Sequence, residues 1–199
     1  MLTHLRPALV LTAALTAITG IVYPLAMTGI AGAIFPAKAA GSLVERDGVV
    51  VGSALLGQNF ASERYFHGRP SATVAPDPAD ASKTVAAPYN ASSSGGSNLG
   101  PTSRALLDRV KDDVARLKSE NPAAPVPMDL VTTSGSGLDP DISPEAALFQ
   151  VPRVAKVRGL PEDRVRALVA AQTQDRLLGI LGEQRVNVLA LNLALDAGR

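Results

Sequence analysis

Few side chains in this sequence could do chemistry, and their spacing excludes more than it supports. Cysteine is absent and histidine occurs only as His4 and His67. Disulfides, thiolate metal sites and a cysteine nucleophile are therefore excluded, and a zinc centre lacks its donors. No G-x-x-x-x-G-K-[ST] phosphate loop and no G-x-S-x-G nucleophile elbow occurs. Gly135-Ser136-Gly137 opens like a dinucleotide fingerprint, but Pro140 stands where its last glycine belongs. Asp139 and Asp141 begin like a calcium loop, yet the residues after them lack the further ligands and the bidentate glutamate. These two aspartates read as caps that order a turn. A self-sufficient enzyme is not expected.

What remains is a set of polar groups on irregular backbone. YFHGRP (65–70) gathers Tyr65, Phe66, His67 and Arg69 beside glycine and proline. Tyrosine and arginine are favoured interface anchors, so the segment serves as a docking surface or else packs locally as a turn with His67 bonded to backbone. Gln150 stands in an apolar stretch. Its amide could give paired hydrogen bonds to a ligand, or it could face solvent or join an internal network. Gly95, Gly96, Asn98 and Gly100 lie in a stretch whose glycines serve loop geometry.

The elements that must position these residues begin with the amino terminus. Lys and Arg total 19 and Asp and Glu 18 in 199 residues, and aromatic content is 4%. That balance gives no electrostatic reason to bind nucleic acid. No charged side chain lies between Arg6 and Lys38. About 20 apolar residues suffice to span a bilayer, and residues 8–35 exceed that, leaving 1–7 as a short tail. A cleavable signal has an apolar region of about 7–15 residues, so a retained single-pass anchor is predicted. Pro24 should kink it. Small residues four apart, Ala13/Ala17, Thr16/Gly20, Thr28/Gly32 and Gly29/Ala33, would let another membrane helix approach. Arg6 on one side and Lys38 and Arg46 on the other leave orientation unspecified by charge.

Beyond the anchor, residues 38–199 read as one mixed α/β domain, making the chain α+β as a whole. Asp47-Gly48 joins two strands in a hairpin. Residues 70–102, with SSSGGSN (92–98), read as a flexible exposed loop. Leu106, Leu107, Val110, Val114 and Leu117 mark a helix from Ser103 to Asn121-Pro122. A short strand is expected around Asp129–Thr132. Ser143 as N-cap, Pro144 in the first turn, Glu145 at the positive dipole end and Gly159 as the stop define a second helix, bent at Pro152. A third starts at Pro161 and buries Val165, Leu168 and Val169. VNVLALNLAL (186–195) reads as a strand, or as a strand turning into helix halfway.

In order along the chain, VYPLAMTGIAGAIFP, GSALLGQNF, YFHGRPSA, SGGSNLGPTS, SGSGLDPDISPEAALFQVPRVA and RVNVLALNLALD resemble the KdpC family, the C subunits of the Kdp potassium-transporting P-type ATPase. The stretch near 75–87 resembles an insertion relative to the family's shorter loop. The resemblance implies a non-catalytic subunit of a bacterial inner-membrane complex, with an ATP-hydrolysing pump subunit, a potassium-channel-like subunit and the bilayer as partners. Absence of D-K-T-G agrees with hydrolysis residing elsewhere. The family is described as a catalytic chaperone that raises the pump subunit's affinity for ATP, and its proposed nucleotide-contacting glutamine matches Gln150. ATP is thus the one small ligand implied, with no covalently held cofactor. Family topology, however, puts the C-terminal domain outside the cytoplasm, away from ATP. The alternative implied is an extracytoplasmic assembly domain that gates potassium entry without touching nucleotide, with Tyr65, Phe66, His67, Arg69 and Asn98 as interface candidates.

Overall fold

The computed structural model describes residues 2–198. They fall into two compact units that divide between Ser53 and Ala54.

In the first unit, α1 (Leu5–Ala17), a π turn (Ile18–Val22) and α2 (Tyr23–Ile34) run on as one apolar helix of 30 residues. At 1.5 Å per residue this is about 45 Å, long and apolar enough to cross a membrane. Pro24 accounts for the π turn. Its nitrogen cannot donate to the carbonyl of Gly20 and its ring crowds that oxygen, so the helix widens by one residue. Tyr23 N–H consequently donates to Ile18 O. The disturbance expected at Pro24 thus takes the form of a wide turn. A short helical turn follows, α3 (Pro36–Ala39), and then the expected hairpin of β1 (Leu43–Arg46) and β2 (Val49–Ser53). Asp47 and Gly48 have φ of 53° and 76°, the left-handed pair that matches the twist of a two-residue hairpin. The hairpin groups with the apolar helix, so the second unit begins at Ala54.

The second unit is built around α5 (Pro144–Arg158), α6 (Glu162–Gln172), α7 (Val188–Ala197) and a three-stranded antiparallel sheet. The sheet order is β5 (Asp141–Ile142), β7 (Arg185–Asn187), β6 (Thr173–Gln174). Its core joins Phe66, Ile142, Phe149, Val151, Val154, Val165, Val169, Val186, Leu191 and Leu195. The α5 caps are as predicted. Ser143 Oγ accepts from Ala146 N at 3.0 Å, and Gly159 ends the helix with φ 67°. Amphipathic α4 (Arg104–Glu120) buries Leu117 and stops at Asn121, whose side chain donates to Phe149 O at 2.9 Å.

Two expectations need correction, and a third, open between two forms, takes the strand-to-helix one. Residues around Asp129–Thr132 are not a strand but a 3-10 turn, Met128–Leu130. Asp129 is pulled in by its carboxylate, which accepts from Ser143 N at 2.8 Å and Ser143 Oγ at 3.1 Å. The VNVLALNLAL run keeps strand geometry only to Asn187. There the Asn187 Oδ1 accepts from Ala190 N at 3.0 Å and starts α7, a cap that ends the strand. The 70–102 stretch carries a small hairpin, β3 (Val74–Pro76) with β4 (Thr84–Ala86). It is also fastened elsewhere: Thr73 is buried, Thr73 Oγ1 donates to Ala87 O at 2.6 Å, and Gly95 N donates to Ser136 O at 2.8 Å.

Candidate functional site

The YFHGRP segment is irregular backbone of the second unit held by side chains from two helices. Phe66 is 0% exposed and belongs to the core, so as an interface candidate it is withdrawn: no partner can reach its ring. Its backbone is held by α7. Phe66 N donates to Asn192 Oδ1 at 2.9 Å, and Asn192 Nδ2 donates back to Phe66 O at 3.0 Å. The next residue is held in the same way by α5. His67 N donates to Gln150 Oε1 at 2.8 Å, and Gln150 Nε2 donates to His67 O at 3.1 Å. Two amide side chains thus stand in for neighbouring strands along a segment that has none.

Gln150 is 3% exposed and spends its remaining capacity internally. Nε2 also donates to Ala146 O at 3.2 Å, and Oε1 also accepts from Arg153 Nη2 at 2.8 Å. An amide offers two donors and two acceptor sites, and every one is occupied within the chain. As placed, Gln150 has neither solvent access nor a free polar position for a nucleotide. Of the readings left open for it, the internal network is the one observed.

Charged side chains complete the frame. Arg153, its side chain 8% exposed, donates to the carbonyls of Glu63 at 2.6 Å and Tyr65 at 3.1 Å. Glu63 and Glu120 lie 3.4 and 3.3 Å from its Nε. Burial works against its charge and the two carboxylates work for it, the net effect being a lowered pKa. Arg158 pairs with Asp196 at 2.8 Å and lies over the Tyr65 ring, whose hydroxyl donates to Asp196 at 3.0 Å. Arg69 pairs with Asp139 at 2.9 Å and donates to Thr133 O at 3.3 Å. His67 Nε2 lies 3.1 Å from Ser62 O, the backbone contact named as one reading of the segment. Burial, followed by the Arg153 charge, lowers the His67 pKa.

Tyr89 closes the other side. Its hydroxyl donates to Arg69 O at 2.6 Å, and its ring fits against Gly57 and Gly68, where a Cβ on either glycine would overlap it. Burial first, then the Asp139 charge, pushes its phenol up to about 12, so it remains a donor at any physiological pH.

Tyr65, His67 and Arg69 are therefore half-buried and already partnered. Asn98 is exposed, with φ 51°, and stands apart from this network. Asp139 and Asp141 order the turn as expected, since Asp139 Oδ1 accepts from Asp141 N at 3.0 Å. They also pair with Arg69 and Arg185. Among the described residues no group of three or more His, Cys, Asp or Glu could hold a metal ion. Sequence reasoning missed Asn192, Arg153 and Tyr89. Asn192 alone carried a signal, as a polar residue inside an apolar run.

The arrangement is a scaffold: it fixes a loop and contains no nucleophile beside a base. A family model described as KdpC: K+-transporting ATPase, c chain, matches residues 5–197. A potassium-transporting ATPase KdpC subunit of Methylobacterium nodulans is 76% identical over 196 residues, covering 98% of each chain. The subunit of that name from Bradyrhizobium diazoefficiens is 72% identical over 196 residues, again 98% of each. One from Rhodopseudomonas palustris (strain BisB18) is 70% identical over 199 residues and 100% of both chains.

Proposed function

Because this chain belongs to the KdpC family, the c chain of the K+-transporting ATPase, we propose that it is the membrane-anchored accessory subunit of a bacterial inner-membrane complex for potassium uptake. It is not the hydrolysing subunit. In this reading Leu5–Ile34 holds it in the bilayer beside a channel-like and an ATP-hydrolysing subunit. The unit from Ala54 onward lies outside the cytoplasm, where it stabilises the assembly and controls access to the potassium entrance.

The closed amide of Gln150 carries this reading. A catalytic chaperone that contacts ATP through Gln150 would need that side chain exposed and unpaired, and its four polar positions are filled by His67, Ala146 and Arg153. The role this observation supports is assembly. The β3–β4 turn offers a test. Ala81 is exposed and the chain has no cysteine, so Ala81→Cys provides one thiol against a blank background. A membrane-impermeant thiol reagent applied to intact cells is expected to label it. Protection until lysis would put the domain in the cytoplasm and refute the proposed topology.

A further inference from the structure

The loop between β6 and β7 exposes apolar surface that the fold does not use. Leu177, Leu178, Ile180 and Leu181 are 68%, 82%, 76% and 55% exposed, consecutive but for Gly179. The loop is nevertheless built. Leu177 and Leu181 exchange backbone hydrogen bonds of 2.9 and 3.0 Å, and Leu178, Gly179 and Gly182 have φ of 55°, 76° and 80°. A leucine in the left-handed region is an outlier, and strain kept at an exposed apolar tip is a reason to look for function there. Scattered exposed leucines need no explanation, whereas a contiguous cluster does.

Beside this knuckle the surface is acidic. Gly179 shares one hollow with Glu145, Asp175, Arg176 and Glu183. Exposed Met128 lines the next with Arg69, Asp129, Asp139, Asp141 and Arg185, and Glu145 and Glu183 line both. Each of the three arginines is matched to one carboxylate: Arg69 to Asp139, Arg176 to Glu183 and Arg185 to Asp141. Asp129, Glu145 and Asp175 are left without a cationic partner among the described residues. The face is apolar at its tip and net negative behind it.

We propose that the Leu177–Leu181 knuckle and the acidic hollows beside it form the docking face for another subunit of the transporter, one presenting an apolar patch bordered by lysine or arginine. This rests on the subunit reading above. The charge chooses among possible occupants. A lipid-inserting loop carries free lysine or arginine, or aromatic residues, at its polar edge to meet anionic headgroups, whereas here Arg176 and Arg185 are each tied to a carboxylate and the face behind them is net negative. A second copy related by a two-fold axis would set the acidic face against itself. A basic partner satisfies both halves of the surface, the apolar tip supplying affinity and the carboxylates orientation.

The test uses the full chain co-expressed with the other subunits and purified through a tag on one of them. Photoreactive p-benzoyl-phenylalanine at position 178 is expected to give a light-dependent adduct with another transporter subunit. Leu178→Asp with Ile180→Asp is expected to lower the amount of chain retained after washing at least ten-fold. These side chains lie outside the core, so the melting temperature should match the parent's. An adduct with lipid or with a second copy, or no adduct while the parent chain still co-purifies, overturns the docking face alone. Retention of the double variant at the parent level does the same. Failure of the parent chain to co-purify with any other subunit overturns the subunit reading, and the docking face with it.

Discussion

Gln150 and His67 lie 83 residues apart, yet they pair as adjacent strands do, N–H to oxygen at 2.8 Å and N–H to carbonyl at 3.1 Å. The glutamine does this from the middle of α5, at a level where the helix carries core residues on either side, Phe149 and Val151. Buried backbone groups must find partners. A segment crossing the core edge without a strand beside it has two sources, side chains or water. Here side chains supply them, and the cost is a glutamine that can do nothing else.

Replacing Gln150 therefore reports on fold before function. Gln150→Ala strands the His67 N–H and C=O and one Arg153 nitrogen in a buried setting, for a loss of about 2–4 kcal/mol. Thermal melting of the full chain in detergent should show the drop. In complexes that still assemble, the ATP concentration giving half-maximal hydrolysis should be unchanged. A selective rise in that concentration, with melting unaffected, would return Gln150 to the nucleotide.

Asn192 provides a matched comparison. It holds Phe66 through the same two-bond pairing and is equally buried. Asn192→Leu, near in volume but without donors or acceptors, should cost about 2–3 kcal/mol because the Phe66 backbone loses both partners. The two glutamine- and asparagine-held residues are consecutive, so their effects should be non-additive. A double variant that loses less than the sum of the two singles would show that one loop is released in both cases.

The contrast between caps and clamps explains what the sequence made legible. Ser143, Pro144 and Gly159 announce α5 because a cap depends on residues within one turn. The Asp47-Gly48 hairpin and the apolar run of Leu5–Ile34 are equally local. The β7–α7 switch was legible only as an alternative, since VNVLALNLAL suits either period until Asn187 caps the helix. The Asp129 turn depends on Ser143, 14 residues on. The clamps span 83 and 126 residues, and no local pattern encodes such a pairing. Hence Phe66, an interface candidate from its residue type, is core, and the choice left open for Gln150 between ligand contact, solvent and internal network is closed only by partners distant in sequence.

Tyr89 gives a steric prediction. Its phenol lies against Gly68 and its ring against Gly57, with the hydroxyl tied to Arg69 O. Gly68→Ala would drive a methyl into the Tyr89 hydroxyl oxygen, and the tied ring cannot yield freely, so a loss of about 1–3 kcal/mol is expected. Tyr89→Ala removes the obstruction as well as the bond. In the Tyr89→Ala background the added methyl should cost much less than in the parent, a coupling that melting of the four chains would measure.

His67 sets the pH response near neutrality. Burial and the Arg153 charge lower its folded pKa below the ordinary 6.5, so as pH falls the unfolded chain takes the proton first. The His67 contribution to stability is therefore complete above about 6.5 and drains away as pH drops from there toward the folded value. Asp141 has the opposite sign: burial raises its pKa above the ordinary 3.8, so its contribution is present in acid and lost as pH rises through the folded value. Because that change starts from a much lower pH, a decline in melting temperature between pH 7 and pH 5.5 belongs to the histidine. His67→Gln keeps the backbone N–H and C=O that pair with Gln150 while removing the titrating ring. It should flatten the curve over that interval relative to the parent, and a variant curve that still falls as steeply would assign the proton to another group.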